Sequence, residues 1–306
     1  MSATRTEPVS IAEDTVVSVR GVTMRFGSVT ALEDVSFDLR ANTIYGLLGR
    51  NGAGKTTLMQ VLTGRQFPTS GEVLVHGAVP HENARVLRDV SFVKESQPYP
   101  REYKVKHVLC AARHLMPHWE EEVAQQLLRD FDLPLDRRVR KLSRGMTSAL
   151  GVVLGIASRA PLTFFDEPYL GLDAVARQLF YDRLLADYAE YPRTIVLSTH
   201  LIDEVADLLE HVVLIDRGRI VTDASAEELR ASALAVSGAI ADVDGFVGTR
   251  PWLRRDSLGN QARVVLRTTD RADDIARAKS HGLQVEPVSL QQLIVETTTA
   301  HDKEQR

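Results

Sequence analysis

Nine consecutive residues, Gly49-Arg50-Asn51-Gly52-Ala53-Gly54-Lys55-Thr56-Thr57, place glycines, a lysine and two hydroxyls at the spacing GxxxxGK[ST]. Such a loop wraps a polyphosphate in backbone N–H groups, and its glycines let the main chain approach the charge closely. Lys55 is spaced to reach the β- and γ-phosphates and Thr56 to ligate Mg²⁺. The chemistry requires a strand that delivers the loop and a helix whose N-terminal dipole receives the anion. Residues 44–48 (IYGLL) read as that buried strand, and residues 57–62 (TLMQVL) begin a helix. The expected ligand is a nucleoside triphosphate.

Further along, alternation in residues 16–20 and 35–39 predicts half-buried strands, and residues 71–77 predict another bounded by glycines. Together they imply a small antiparallel layer beside the nucleotide core. Residues 105–131 carry a helical pattern, and residues 142–146 (LSRGM) open an apolar helix, with Ser143 as the N-cap of the helix beginning near Met146, that runs to Ser158. A short buried strand at 162–165 ends in Asp166-Glu167-Pro168, and a helix at 174–188 leads to a strand at 194–198 followed by Thr199-His200. This alternation argues for an α/β fold with a mostly parallel sheet and helices on both faces. A hairpin at 212–221 and a linking helix at 226–230 come next. Strands at 235–236, 262–266 and 283–288, with helices at 272–279 and 290–296, imply a small C-terminal α+β domain. The expected division is a disordered N-terminus at 1–14, a nucleotide-binding domain at 15–225, an accessory domain at 232–298 and a disordered tail at 299–306.

The chain has 306 residues and a formal charge of −4, so it offers no basic footprint for nucleic acid, and no nucleic-acid partner is expected. One cysteine, Cys110, excludes an internal disulfide framework and fits a reducing compartment. No apolar run approaches the roughly 18 residues of a membrane span, and residues 1–14 lack the apolar core of a signal peptide.

Five elements occur in order: the phosphate loop, LSRGM at 142–146, FFDEP at 164–168, GLD at 171–173 and STH at 198–200. Their order and spacing resemble the ATP-binding subunit of an ATP-binding-cassette (ABC) transporter of bacterial export type, over about residues 16–222. The resemblance implies ATP and Mg²⁺ as ligands, and a phosphate-loop ATPase core with an antiparallel β-subdomain and a helical subdomain. Asp166, where an apolar strand emerges, would hold Mg²⁺ with Thr56. Glu167 matches the family's catalytic carboxylate, which orients or deprotonates the attacking water, and His200 matches its switch histidine. Ser143 and Gly145 would bind the γ-phosphate of a second subunit's nucleotide, Asp173 would communicate between paired cassettes, and Phe26 would stack on adenine. With one cassette per chain, a second ATP-binding subunit is expected, in a homodimer or heterodimer. Residues 285–293 resemble those of subunits serving separately encoded permeases, which implies a membrane permease partner and a peripheral place on the cytoplasmic face of the membrane.

Two departures stand out. The family's usual LSGGQ has Arg144 and Met146 at its third and fifth positions here, and the usual glutamine after strand 91–93 falls near Glu95, with Gln97 the nearest glutamine. Both Glu95 and Gln97 are therefore candidates for the Mg²⁺-sensing role. These departures keep open a regulatory module with weak hydrolysis, and a soluble cassette ATPase in translation or DNA repair is the other alternative. His107, Cys110 and His114 share a helical face and offer a metal-ligand reading against simple helix packing. The aromatic and basic stretch 98–107 reads as a permease contact, with a solvated loop as its plain alternative.

Overall fold

A computed structural model describes residues 14–95 and 97–304 of the chain, with side chains to residue 298. The N-terminal segment expected to be disordered lies outside the described residues, apart from Asp14. The chain divides into two compact units, Met1–Ile44 with Gly52–Ser198 and Arg217–Arg219, and Tyr45–Asn51 with Thr199–Asp216 and Ile220–Arg306.

In the first unit, β1 (Thr15–Phe26) pairs antiparallel with β2 (Val29–Arg40) and with β4 (Ser70–Val75) in the order β2-β1-β4. This is the antiparallel layer that the alternation predicts. The register of β1 shifts between Arg20 and Thr23, where Gly71 closes on the irregular backbone. Gly71 has φ 89°, and a Cβ there would lie 2.4 Å from the Gly21 carbonyl oxygen, so only glycine fits.

β5 (Val90–Lys94), β6 (Leu162–Asp166) and β7 (Thr194–Thr199) form parallel pairs in register, Lys94 opposite Asp166 and Asp166 opposite Ser198. Every residue of β6 is buried, which is why its sequence is apolar without alternation. The carboxyl ends of such strands are where α/β sheets bind ligands, and Asp166 lies at that end. Around these strands lie α1 (Lys55–Leu62), α2 (Ala84–Leu87), α3 (Val105–Leu115), α4 (Glu121–Asp130), α5 (Arg144–Ala157) and α6 (Ala174–Glu190). The helical pattern at 105–131 is thus two helices. Pro117, which removes a donor and disfavours helix in the residue before it, sits in the break.

In the second unit, β3 (Ile44–Leu48) runs parallel to β8 (His211–Asp216), with Tyr45 opposite His211 and Leu48 opposite Leu214. β9 (Arg219–Ser225) flanks β8, and α7 (Ile202–Val205) and α8 (Ala226–Ala231) are short. A four-stranded antiparallel sheet then follows in the order β11-β12-β10-β13, from β10 (Ala233–Ala239), β11 (Trp252–Leu258), β12 (Gln261–Arg267) and β13 (Gln284–Glu286). Its period-two pattern sorts the core. Leu234, Val236, Val264 and Leu266 pack with Val243, Phe246 and Ala278, which belong to α9 (Ile240–Val247) and α10 (Arg271–Ser280). Ala233, Ala235 and Val265 pack with Leu293 of α11 (Leu290–Glu304).

α11 runs past Glu296, where the sequence reading ends the last helix, and through residues 299–304, for which that reading expects a tail. A run of threonines lowers helix propensity there, and the Thr298 hydroxyl donates back to the Ile294 carbonyl (2.8 Å). None of the described helices is long and apolar enough to cross a membrane.

Candidate active site

β3 opens into the glycine-rich loop, where Gly49, Gly52 and Gly54 take φ values of 151°, 81° and 111°. Those conformations suit glycine. Gly54 caps α1, and Lys55 is its first residue, only 6% exposed. Burial pulls the Lys55 ammonium below the usual lysine value, and the charges of Glu167 and Asp166 oppose that pull. A buried cation facing two carboxylates at a helix N-terminus is poised for an anion bridged by a divalent cation.

The hydroxyl of Thr56 donates to Asp166 Oδ2 at 2.7 Å, joining the start of α1 to the end of β6. Asp166 is 6% exposed. Next to it Glu167 adopts φ 47°, and its N–H donates to the Ser198 carbonyl (3.1 Å), which fixes the backbone at this turn. Ser198 Oγ is buried and has no hydrogen-bond partner among the described residues, and the same holds for Gln97 Oε1. The Thr56 hydroxyl and the Asp166 carboxylate are hard oxygen donors held in contact, and donors of this kind fit Mg²⁺.

Glu95 and Gln97, indistinguishable from sequence, differ here. The Glu95 N–H donates to the Asp166 carbonyl (2.9 Å), and its carboxylate is taken by the Arg144 guanidinium. Gln97 keeps a free buried amide oxygen. Tyr99, two residues on, is half-buried, and desolvation pushes its hydroxyl far above the ordinary tyrosine value, so it stays neutral.

Ser143 caps α5 by accepting from the Met146 N–H at 3.2 Å, as the sequence predicts. Gly145 is packed against the turn after Glu167, since a Cβ there would lie 2.7 Å from the Gly171 carbonyl oxygen. The Ser148 hydroxyl donates to the Leu170 carbonyl (2.5 Å), clamping the same contact. Asp173 caps α6 through the Ala176 N–H (2.9 Å). Phe26 ends β1 with its ring about half exposed, the accessibility that stacking on a base requires.

In the second unit, His200 shares a cavity of about 370 Å³ with Gly49 and Arg50 of the loop and with Ile202. Thr199 Oγ1 accepts from the Leu201 N–H (2.9 Å), fixing the turn that carries the imidazole. Ile294, Val295 and Thr298 of α11 line the same cavity. That contribution, and the orphaned Ser198 hydroxyl, escaped the sequence reading. The serine of STH was its only available signal.

The His107, Cys110 and His114 face is engaged locally. His107 Nδ1 accepts from the Lys104 N–H (3.4 Å), and His114 Nδ1 lies 2.7 Å from the Cys110 carbonyl oxygen. No group of three or more His, Cys, Asp or Glu arranged for a metal occurs among the described residues.

Comparison with known proteins covers most of this arrangement. A family model described as "ABC transporter" matches residues 32–170. The chain is 32% identical over 232 residues to the doxorubicin resistance ATP-binding protein DrrA of Mycobacterium tuberculosis, covering 71% of this chain and 68% of that one. It is 31% identical over 224 residues to the Nod factor export ATP-binding protein I of Mesorhizobium japonicum, covering 71% and 66%. Among solved structures, an ATP-binding subunit of an ABC transporter superposes with a TM-score of 0.64 at 25% identity, covering 71% of this chain and 92% of that one.

Proposed function

Since this chain belongs to the ATP-binding subunits of ABC transporters and is an ATPase, we propose that two cassettes share its ATP sites and drive export through a separately encoded membrane permease. The observation that carries the chemistry is the Thr56–Asp166 hydrogen bond with Glu167 beside it and Lys55 buried against both carboxylates. Export is supported by the similarity to the Nod factor export ATP-binding protein I. In this reading residues 15–225 form the cassette, residues 232–298 an accessory domain, and the chain works at the cytoplasmic face of the membrane.

The loop N–H groups and Lys55 hold the β- and γ-phosphates, and the face of Phe26 receives the adenine. Thr56 and Asp166 would hold Mg²⁺, with the amide oxygen of Gln97 as an outer ligand to its water. When bound, Mg²⁺ supplies neutralisation of the charge that builds on the transferring phosphoryl group. Glu167 orients a water in line with the γ-phosphorus and accepts its proton as the new P–O bond forms and the bond to the β,γ-bridging oxygen breaks. His200 serves as the histidine that hydrogen-bonds the γ-phosphate and the water. Ser143 and Gly145 present an N-terminal turn to the nucleotide of the second cassette, and Asp173 caps α6 two residues after Gly171, against which Gly145 packs. The products are ADP and phosphate.

Steady ATP turnover by the purified chain tests this. Glu167→Gln is expected to lower kcat by about 10²–10⁴-fold, the range of a lost general base, while ATP binding persists. Turnover unaffected by that substitution sinks the assignment of Glu167. Recovery of a multi-span membrane protein with the Glu167→Gln chain and Mg-ATP supports the permease, and recovery of soluble partners alone counts against it.

A further inference from the structure

Arg144 and Glu95 are the two charged residues by which this chain departs from the sequence pattern of its family, and the structure pairs them with each other. Arg144 opens α5, so its cation lies at the positive end of a helix dipole, an unfavourable place without a nearby anion. Glu95 supplies that anion from the end of β5. The pair is solvent-accessible, with side chains 67% and 37% exposed, and such pairs add little to stability. The stem of Arg144 lies on the turn after Glu167, because a Cβ on Gly171 would meet Arg144 Cγ at 2.8 Å. Its guanidinium is thus held beside Ser143 and Gly145 by one exposed carboxylate.

We infer that Arg144 is an exchangeable phosphate-binding residue: Glu95 holds it in the nucleotide-free chain, and the terminal phosphate of ATP on a second copy of this chain takes it over as the two cassettes close. A terminal phosphate carries about two charges and accepts a guanidinium in bidentate fashion, so it outcompetes a single exposed carboxylate. The exchange makes Glu95 a competitor of ATP-driven closure, and it links the α5 turn to Asp166, whose carbonyl holds the Glu95 N–H. It rests on the shared-site reading above.

The sign of two substitutions decides it. In the full-length Glu167→Gln chain, the ATP concentration for half-maximal association is measured by light scattering at fixed Mg²⁺. Arg144→Ala raises that concentration about tenfold, the loss of one charge-assisted hydrogen bond. Glu95→Ala lowers it, because the guanidinium is released for phosphate. Arg144→Ala combined with Glu95→Ala behaves as Arg144→Ala alone, and Arg144→Lys falls between, having charge without the planar fork. If both single substitutions weaken association equally, the pair is a fixed tie and the exchange is wrong. If Glu95→Ala instead raises the Mg²⁺ requirement, Glu95 is a metal ligand and the exchange is equally overturned. Failure of the Glu167→Gln chain itself to associate with ATP overturns the shared site and the exchange with it. Unchanged melting temperatures across the set separate all of these from misfolding.

Discussion

Replacing Asp187 by alanine should destabilise the first unit far more than an ordinary surface change. Asp187 lies near the end of α6, 6% exposed, and binds two arginines. Arg193 Nη1 is 2.7 Å from Oδ2, and Arg159 donates to Oδ1 from Nη2 (2.8 Å) and Nε (3.1 Å). Arg193 is 2% exposed, and its Nε and Nη2 have no hydrogen-bond partner among the described residues. Burial pulls its guanidinium below the usual value, with Asp187 opposing, but arginine stays charged. Removing the carboxylate therefore strands a buried cation. Breaking such a pair costs about 3–5 kcal/mol, which for a cooperative unit of this size is roughly a 6–20 °C fall in Tm. Arg159 suffers less because Glu120 (3.7 Å) and Glu190 (3.9 Å) remain near it. Urea unfolding followed by Trp119 fluorescence, with Trp252→Phe removing the only other tryptophan, reports on this unit. Asp187→Leu with Arg193→Met, which removes both charges, is expected to recover most of the loss. A cost below about 1 kcal/mol for Asp187→Ala, or a double substitution as damaging as the single, would refute the stranded-charge argument. Since α5 and α6 carry Ser143 and Asp173 at their opposite ends, the same variant should also lower turnover.

Thr56→Ala removes the hydroxyl that bonds Asp166 and should raise the Mg²⁺ concentration for half-maximal turnover at least tenfold, with Thr56→Ser close to wild type; titration of activity with Mg²⁺ checks it. Lys55 has a lowered value in the folded chain, so between that value and the ordinary lysine value the unfolded chain binds more protons. Stability of the ligand-free chain should rise with pH across that window while ATP affinity falls as the cation is lost, and melts with and without ATP read both signs. Gly155→Ala places a methyl 2.4 Å from Phe165 Cε1 and 2.8 Å from Val93 Cγ2, and overpacking of this kind should cost about 1–3 kcal/mol by urea unfolding.

How far the sequence carries depends on the range of the interaction that decides each element. The phosphate loop, the strand ending in Asp166 and the Ser143 cap are local patterns, and all three stand where spacing puts them. β11 was missed because it is an edge strand whose charged and half-exposed residues give no apolar alternation. α9 was missed for shortness: Ile240, Val243, Phe246 and Val247 share a face, but Gly245 interrupts a run of only eight residues. The difference in surroundings between Glu95 and Gln97 is not a local one: Arg144, which takes the Glu95 carboxylate, is distant in sequence, and only the folded chain shows its reach.

Glu167 holds a left-handed backbone that glycine or asparagine would adopt at less cost, a penalty of roughly 1–2 kcal/mol for a residue with a longer side chain. A sequence redesigned for stability alone would therefore swap this glutamate for glycine, gain in melting temperature, and lose the carboxylate beside Asp166. In a screen scored on expression or heat resistance, the improved variants at this position would be those that, with Glu167 in the proposed role, no longer turn over ATP.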